Sequence, residues 1–262
     1  MMTRQVERRV LFDTVADLYN EARPGYPAEM IEDIISITGV PQGGRILEVG
    51  AGTGQATLGF AKKGFEILSL ELGANLAERA RQNLKDYPNA TILNVIFEDW
   101  EVEEGAFDLV ISGSAFHWIP AEVGYSRCAQ ALKEKRWLAL FWNGDAKPSG
   151  GVYDAIREVY IKLAPEMDRR GNKHSQESVI GDREKELRES GLFTSPIAKR
   201  YPWTRRLSAD EYVRLTCTYS DHIALSEEKR QTVCEALRKT INHHGGYIDR
   251  QYLTRLFIAQ KL

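Results

Sequence analysis

The chain has 262 residues, 43% hydrophobic and 27% charged, with a formal net charge of −2. That is ordinary globular composition, long enough for one large domain or a core with an insertion, and the charge balance gives no reason to expect a nucleic-acid partner. No apolar stretch nears the ~20 residues of a membrane span, and the opening residues lack the order of a signal peptide. Cys128, Cys217 and Cys234 are odd in number, far apart and without C-x-x-C spacing, which argues against a disulfide scaffold or a zinc site and suits a reducing cytoplasm. Residues 1–150 carry 15 basic and 21 acidic side chains against 20 and 16 in the rest. This reads as two solvated surfaces, with attraction of an anionic substrate to the second half as the sharper alternative.

The apolar spacing predicts a helix over Val6 to Ala22. Its last residues run into Tyr19-Asn20-Glu21-Ala22-Arg23-Pro24-Gly25-Tyr26-Pro27, where two prolines and a glycine predict an ordered turn rich in hydrogen-bond donors. A helix from Ala28 to Thr38 follows, with Met30, Ile31, Ile34 and Ile35 on one face and Gly39 as its stop. Ile46, Leu47 and Val49 then form a buried-type strand ending in Gly50-Ala51-Gly52-Thr53-Gly54. A helical stretch and a second apolar run, Ile67 to Leu70, lead to the acid Glu71. Such a strand–glycine turn–helix–strand unit holds a nucleoside, the acid bonding ribose hydroxyls. A dinucleotide fingerprint would need a third glycine where Gln55 stands, and no phosphate loop is present. Glu48, just before the turn, would repel a pyrophosphate and attract a cation.

These residues resemble motif I of the class I S-adenosylmethionine-dependent methyltransferases, an acid followed by G-x-G-x-G, and the chain partly resembles their small-molecule, methyltransferase type 11 or trans-aconitate methyltransferase-like subgroup. The resemblance implies S-adenosyl-L-methionine as cofactor, with S-adenosyl-L-homocysteine as product. Glu48 and Gly50, Ala51, Gly52, Thr53 and Gly54 would face its methionine part, and Glu71 with Leu72 its ribose. The stretch F-D-x-x-A-x-x-Y-x-x-x-R-P-x-Y-P (Phe12 to Pro27) resembles the lid of these enzymes, which makes Tyr19, Arg23 and Tyr26 candidates for the acceptor site. The alternative is a glycine turn in another nucleotide-binding α/β protein.

Asn75 to Leu84 reads as a helix and Ala90 to Ile96 as a third strand. At the following junction the family more often has Gly-Asp-Ala, whereas this chain has Phe97-Glu98-Asp99. Phe97 would stack on adenine and Glu98 bond it, with Asp99 as the competing acid. Phe107 to Ser112 is a fourth strand, so Ser112 and the loop Gly113-Ser114-Ala115-Phe116-His117-Trp118 border the same crevice. A-F-H-W is shared by a subgroup of the family, which places Phe116 and Trp118 in the acceptor pocket. His117 is a proton acceptor in one reading and a wall of the pocket in the other.

A helix over Glu122 to Leu132 and a strand over Arg136 to Trp142 bring the alternating strands to five, a doubly wound parallel sheet. Beyond them Tyr153 to Leu163, Arg183 to Glu189, Glu211 to Thr216 and Glu227 to Ile241 read as helices. Residues 171–175 read as an exposed loop, Ser195 to Arg206 as an edge strand with Pro196 and Pro202, and Tyr252 to Ala259 as the last strand. Tyr219 joins the pocket candidates from Thr216-Cys217-Thr218-Tyr219-Ser220-Asp221-His222, which otherwise reads as a capped helix end. His243-His244 offers no third ligand, so no metal is expected.

The expected class is thus α/β: a doubly wound, mostly parallel, seven-stranded Rossmann-like methyltransferase sheet with an inserted helical cap. The expected divisions are a lid (1–40), a cofactor-binding core (41–143), the sixth strand with cap (144–250) and the last strand (251–262). The expected activity is methyl transfer to a small-molecule oxygen, carboxylate or hydroxyl, by a monomer or homodimer with no membrane or nucleic-acid partner. The alternatives are a non-catalytic cofactor-binding protein and a nicotinamide-dependent oxidoreductase.

Overall fold

Ile46, Leu47, Glu48 and Val49 are all buried, so the strand they build, β1 (Arg45–Val49), is covered on both faces. Its apolar run, rather than an alternation, is the signature of a central parallel strand. It pairs in parallel with β2 (Glu66–Glu71) on one side and β4 (Phe107–Gly113) on the other. Beyond these lie β3 (Ala90–Asn94) and β5 (Leu132–Asp145), also parallel. β7 (Tyr247–Gln260) runs antiparallel to β5, and β6 (Ile197–Ser208) antiparallel to β7. In the computed structural model, which describes residues 9–146, 149–167 and 176–262, the order is therefore β3-β2-β1-β4-β5-β7-β6. The chain reverses direction of travel between β1 and β4, where crevices open at the strands' carboxyl ends.

One face of the sheet is covered by α2 (Ala28–Thr38) and α3 (Gln55–Ala61), with Met30, Ile34 and Phe60 fully buried against Ile46 and Ile111. Each such side chain contributes about 1.5–3 kcal/mol by leaving water. α2 stops at Gly39, whose φ of 55° lets its N–H close on Ile35 O. The other face carries α5 (Ala121–Ala131) and Leu187 of α7 (Gln176–Glu189) over Phe107, Val110 and Leu138. A third core holds the cap together. It joins α6 (Val152–Leu163), α8 (Ala209–Thr216) and α10 (Glu227–His243) to Leu207 and Ile248, at the far ends of β6 and β7. The remaining helices are α1 (Ala16–Ala22), α4 (Ala74–Asn83) and the one-turn α9 (Ser220–Ile223).

Several boundaries differ from those the sequence suggested. The first segment is a 3-10 turn (Leu11–Val15) followed by α1, because the Asp13 carboxylate reaches away to accept from Leu76 N at 2.9 Å and cap α4. β3 ends at Asn94 rather than Ile96, the Asn94 amide turning back to the carbonyls of Glu71 and Leu72. β5 starts at Leu132, passes an irregularity at Lys135 (φ 56°), and runs to Asp145 because β7 continues to pair with it there. α7 begins at Gln176, and the expected loop over 171–175 lies outside the described residues. β7 begins at Tyr247, so the boundary drawn between residues 250 and 251 falls inside a strand. β6 is the edge strand, bonded to β7 alone, which is why Pro202 is tolerated in it.

Candidate active site

The turn after β1 is drawn tight by Gly50 N and Ala51 N, both donating to Leu70 O. Gly50 has φ 77°, and a Cβ placed there would stand 2.3 Å from Ala115 Cβ in the loop after β4. Only glycine satisfies both demands, so the two loops that flank the switch point can touch. Between them and the cap lies a cavity of about 450 Å³, into which Glu48, Gly50, Ala51, Gly52, Glu71 and Leu72 all face.

Two carboxylates dominate the electrostatics of this end. Glu48 is 1% exposed and accepts from Thr57 Oγ1 and, at 3.0 Å, from Ser69 Oγ. Glu71 accepts from Gly52 N at 2.7 Å with one oxygen and from Gly73 N at 2.9 Å with the other. Burial raises each carboxyl from the usual range to about 7, the hydrogen bonds offsetting part of the effect. Neither pairs with a lysine, arginine or histidine among the described residues. Two desolvated acids without a protein cation suit a positively charged nucleoside and would oppose a diphosphate.

The lid closes the opposite side. Tyr19 lies over the glycine turn, its ring carbon Cε1 within 3.5 Å of where a Gly52 Cβ would be. Arg23 donates from Nε to Thr218 Oγ1 and from Nη2 to Thr218 O, both at 2.8 Å. Its guanidinium sits between the rings of Tyr19 and Tyr219, 5.0 and 4.6 Å from their centroids. No acidic side chain among the described residues pairs with it. Tyr26 donates to Ser114 Oγ at 3.1 Å and stacks edge-on against Phe141. Burial raises the phenols of Tyr19 and Tyr26 above their ordinary value, so both stay protonated donors.

His117 and Trp118 line the cavity from a short 3-10 turn, Phe116–Trp118. Trp142 Nε1 donates to His117 Nδ1 at 3.2 Å. Indole N–H is a donor only, so Nδ1 must accept and the neutral ring carries its proton on Nε2. Burial, then the charges of Arg183 and Arg9, lowers the imidazole to about 4. At neutral pH His117 therefore presents a donor and no free lone pair.

Other candidates stand behind the wall. Thr53 is buried and takes the Gln55 amide on its hydroxyl, and Gly54 backs onto Leu84 as the N-cap of α3. Ser112 donates to Val49 O at 2.7 Å, tying β4 to β1. Phe116 is fully buried on Tyr125, while its neighbours Ala115 and His117 reach the cavity. Glu98 is engaged by Arg9, which also donates to Trp118 O, so this acid anchors the lid; Phe97 does line the cavity. The sequence reading missed Arg9, Phe12, Tyr160, Tyr212, Arg250 and Tyr252 as wall residues. The sequence carried no clear signal for the last two, since the buried Arg250 interrupts the apolar alternation of Ile248 and Tyr252 in the first half of β7.

Comparison with known proteins agrees with this geometry. A family model described as a methyltransferase domain matches residues 46–135. An uncharacterized methyltransferase-like protein of Schizosaccharomyces pombe is 27% identical over 268 residues, covering 99% of this chain and 98% of its own. A malonyl-[acyl-carrier protein] O-methyltransferase of Geobacter sulfurreducens is 32% identical over 119 residues, 44% of this chain and 43% of its own. In fold, the chain resembles the phosphoethanolamine N-methyltransferase 2 of Haemonchus contortus, solved with S-adenosylhomocysteine, at TM-score 0.58 and 15% identity, covering 100% of this chain and 60% of that one. The matched methyltransferase model spans the glycine turn, and no oxidoreductase is among these relatives and structures. No helix among the described residues is long and apolar enough to cross a membrane.

Proposed function

We propose that this chain, a class I S-adenosylmethionine-dependent methyltransferase, methylates a small molecule on a carboxylate oxygen. Arg23 carries the reading: a guanidinium fixed in the cavity wall, held by Thr218 and two tyrosine rings and paired with no acid among the described residues. An arginine so placed is suited to a planar anion. The cofactor, when bound, supplies a methyl group activated by a positively charged sulfur.

Glu48, Glu71 and the Gly50–Gly52 backbone are the groups that would hold it, the carboxylates meeting its positive charge. Arg23 would orient the acceptor, while Tyr19, Phe12 and Trp118 exclude water from the crevice. Orientation of this kind lowers a barrier by roughly 7–11 kcal/mol. An ionised carboxylate needs no proton removed, which suits a site whose histidine offers Nε2–H instead of a lone pair. His117 would donate to the acceptor and fix its rotation. The Geobacter relative is by name an O-methyltransferase acting on a malonyl group, which is compatible with an oxygen target.

The test is to incubate the enzyme with methyl-labelled S-adenosylmethionine and a cell extract, then treat the product with alkali. Methyl esters release volatile methanol, whereas N-methyl and ether products keep their label. Label in the low-molecular-weight fraction that alkali volatilises is the expected result. Label that resists alkali, or that stays with macromolecules, refutes the proposal.

A further inference from the structure

The cap carries a cluster that methyl transfer does not use. Cys217, at the end of α8, and Cys234, on α10, place their sulfurs 2.9 Å apart. His222, on α9, brings a ring nitrogen to them, the three ligand atoms all lying within 4.8 Å of one another. His222 is 1% exposed, and its Nδ1 has no hydrogen-bond partner. Its Nε2 is bonded to Tyr160 Oη at 2.9 Å.

We propose that Cys217, His222 and Cys234 form a binding site for a thiophilic divalent cation of the zinc class. A buried imidazole nitrogen without a hydrogen-bond partner, on a ring that comes within 4.8 Å of two thiols, is costly unless something occupies it. With Nε2 donating to Tyr160 Oη, Nδ1 carries a lone pair, the arrangement in which a ligating histidine is oriented by its second nitrogen. Two sulfurs and one nitrogen are three of the four donors of a tetrahedral zinc ion. About such an ion the sulfurs would open from 2.9 Å to roughly 3.8 Å, a side-chain adjustment. A disulfide would instead draw them in to about 2.05 Å and leave Nδ1 as orphaned as before.

The site staples three cap helices that have no other common anchor of this kind among the described residues. Thr218, next to Cys217, is the residue that holds Arg23, and His222 itself lines the cavity. The ion would therefore set the position of the acceptor clamp from behind. This proposal does not depend on the acceptor's chemistry, because its test reads metal and not methyl transfer.

The full chain is stripped with chelator under reductant and titrated with Co²⁺. The expected result is a thiolate-to-cobalt charge-transfer band saturating at about one equivalent per chain and lost on adding Zn²⁺. Cys234→Ser removes the band, while Cys128→Ser, in the separate core under the sheet, keeps it. X-ray absorption of the zinc-loaded wild type needs no variant; two sulfurs near ~2.3 Å and a nitrogen near ~2.0 Å are expected. Absence of the band, a band that survives in Cys234→Ser, or an all-oxygen-and-nitrogen zinc shell overturns the proposal. So does a pair that oxidises to a disulfide yet takes up no metal when reduced.

Discussion

Glu48→Gln should make the ligand-free protein more stable at pH 8 while making it a poorer binder of its cofactor. The amide oxygen can still accept the Thr57 and Ser69 hydroxyls, so shape and hydrogen bonds persist and only the charge is lost. In the wild type, burial carries the carboxyl from 4.5 to about 7. At about 1.4 kcal/mol per pH unit, the ionised form costs on the order of 3 kcal/mol more in the folded chain than in the unfolded one. The folded value lies above the unfolded one, so the folded state binds more protons. Stability is therefore complete below pH 4.5, falls as pH rises through 7, and is level beyond. Urea unfolding at pH 5 and pH 8 checks this: the variant should gain about 1–3 kcal/mol over the wild type at pH 8 and little at pH 5. Calorimetric titration should show S-adenosylmethionine bound roughly tenfold to hundredfold more weakly, the loss of one charge-assisted contact. A variant destabilised equally at both pH values, or one that binds the cofactor unchanged, would refute the reasoning.

Arg23→Met should raise KM for the carboxylate acceptor roughly tenfold to hundredfold, the ~1.5–3 kcal/mol of a charged hydrogen bond, and leave cofactor Kd unchanged. Steady-state kinetics beside calorimetry separate the two, and a parallel loss of cofactor affinity would show that the arginine only supports the fold. At saturating cofactor, kcat should show no limb near the ordinary histidine value of ~6.5, because His117 titrates at about 4; a limb there that disappears in His117→Gln would restore the histidine as a base. Gly50→Ala should abolish cofactor binding and lower Tm, since its methyl would stand 2.3 Å from Ala115 Cβ at a φ of 77°. Differential scanning fluorimetry with and without S-adenosylhomocysteine reads both effects, and a normal ligand-induced shift would contradict them.

The cofactor end was legible because its chemistry is local. Glu48, the glycine turn and Glu71 lie within one strand–turn–helix–strand unit, and the apolar run of β1 places them. Burial on both faces of β4 removed the alternation that tells cavity from core, so Ser112 and Phe116 could not be told from Ser114 and His117. The cap was less legible because its contacts are long-range. Cys217 and Cys234 are 17 residues apart in the chain and adjacent only because α8 packs on α10. The early half of β7 interleaves Asp249 and Gln251 with buried Ile248, Arg250 and Tyr252, which masks a strand whose inner face is partly charged. Glu98 looked like an adenine ligand because nothing nearby in sequence reveals Arg9, 89 residues earlier, as its partner.

The ladder between β6 and β7 runs unbroken from Ile197↔Ile258 to Ser208↔Tyr247, from the sheet into the cap. A roof cantilevered on a continuous hydrogen-bonded ribbon cannot swing without tearing that ribbon. The lid, by contrast, is joined to the core and cap by individual side chains, among them Arg9 to Glu98, Arg23 to Thr218, Tyr26 to Ser114 and Asn143 to Gly25, and by the rings of Phe12 on Trp118 and Tyr26 on Phe141.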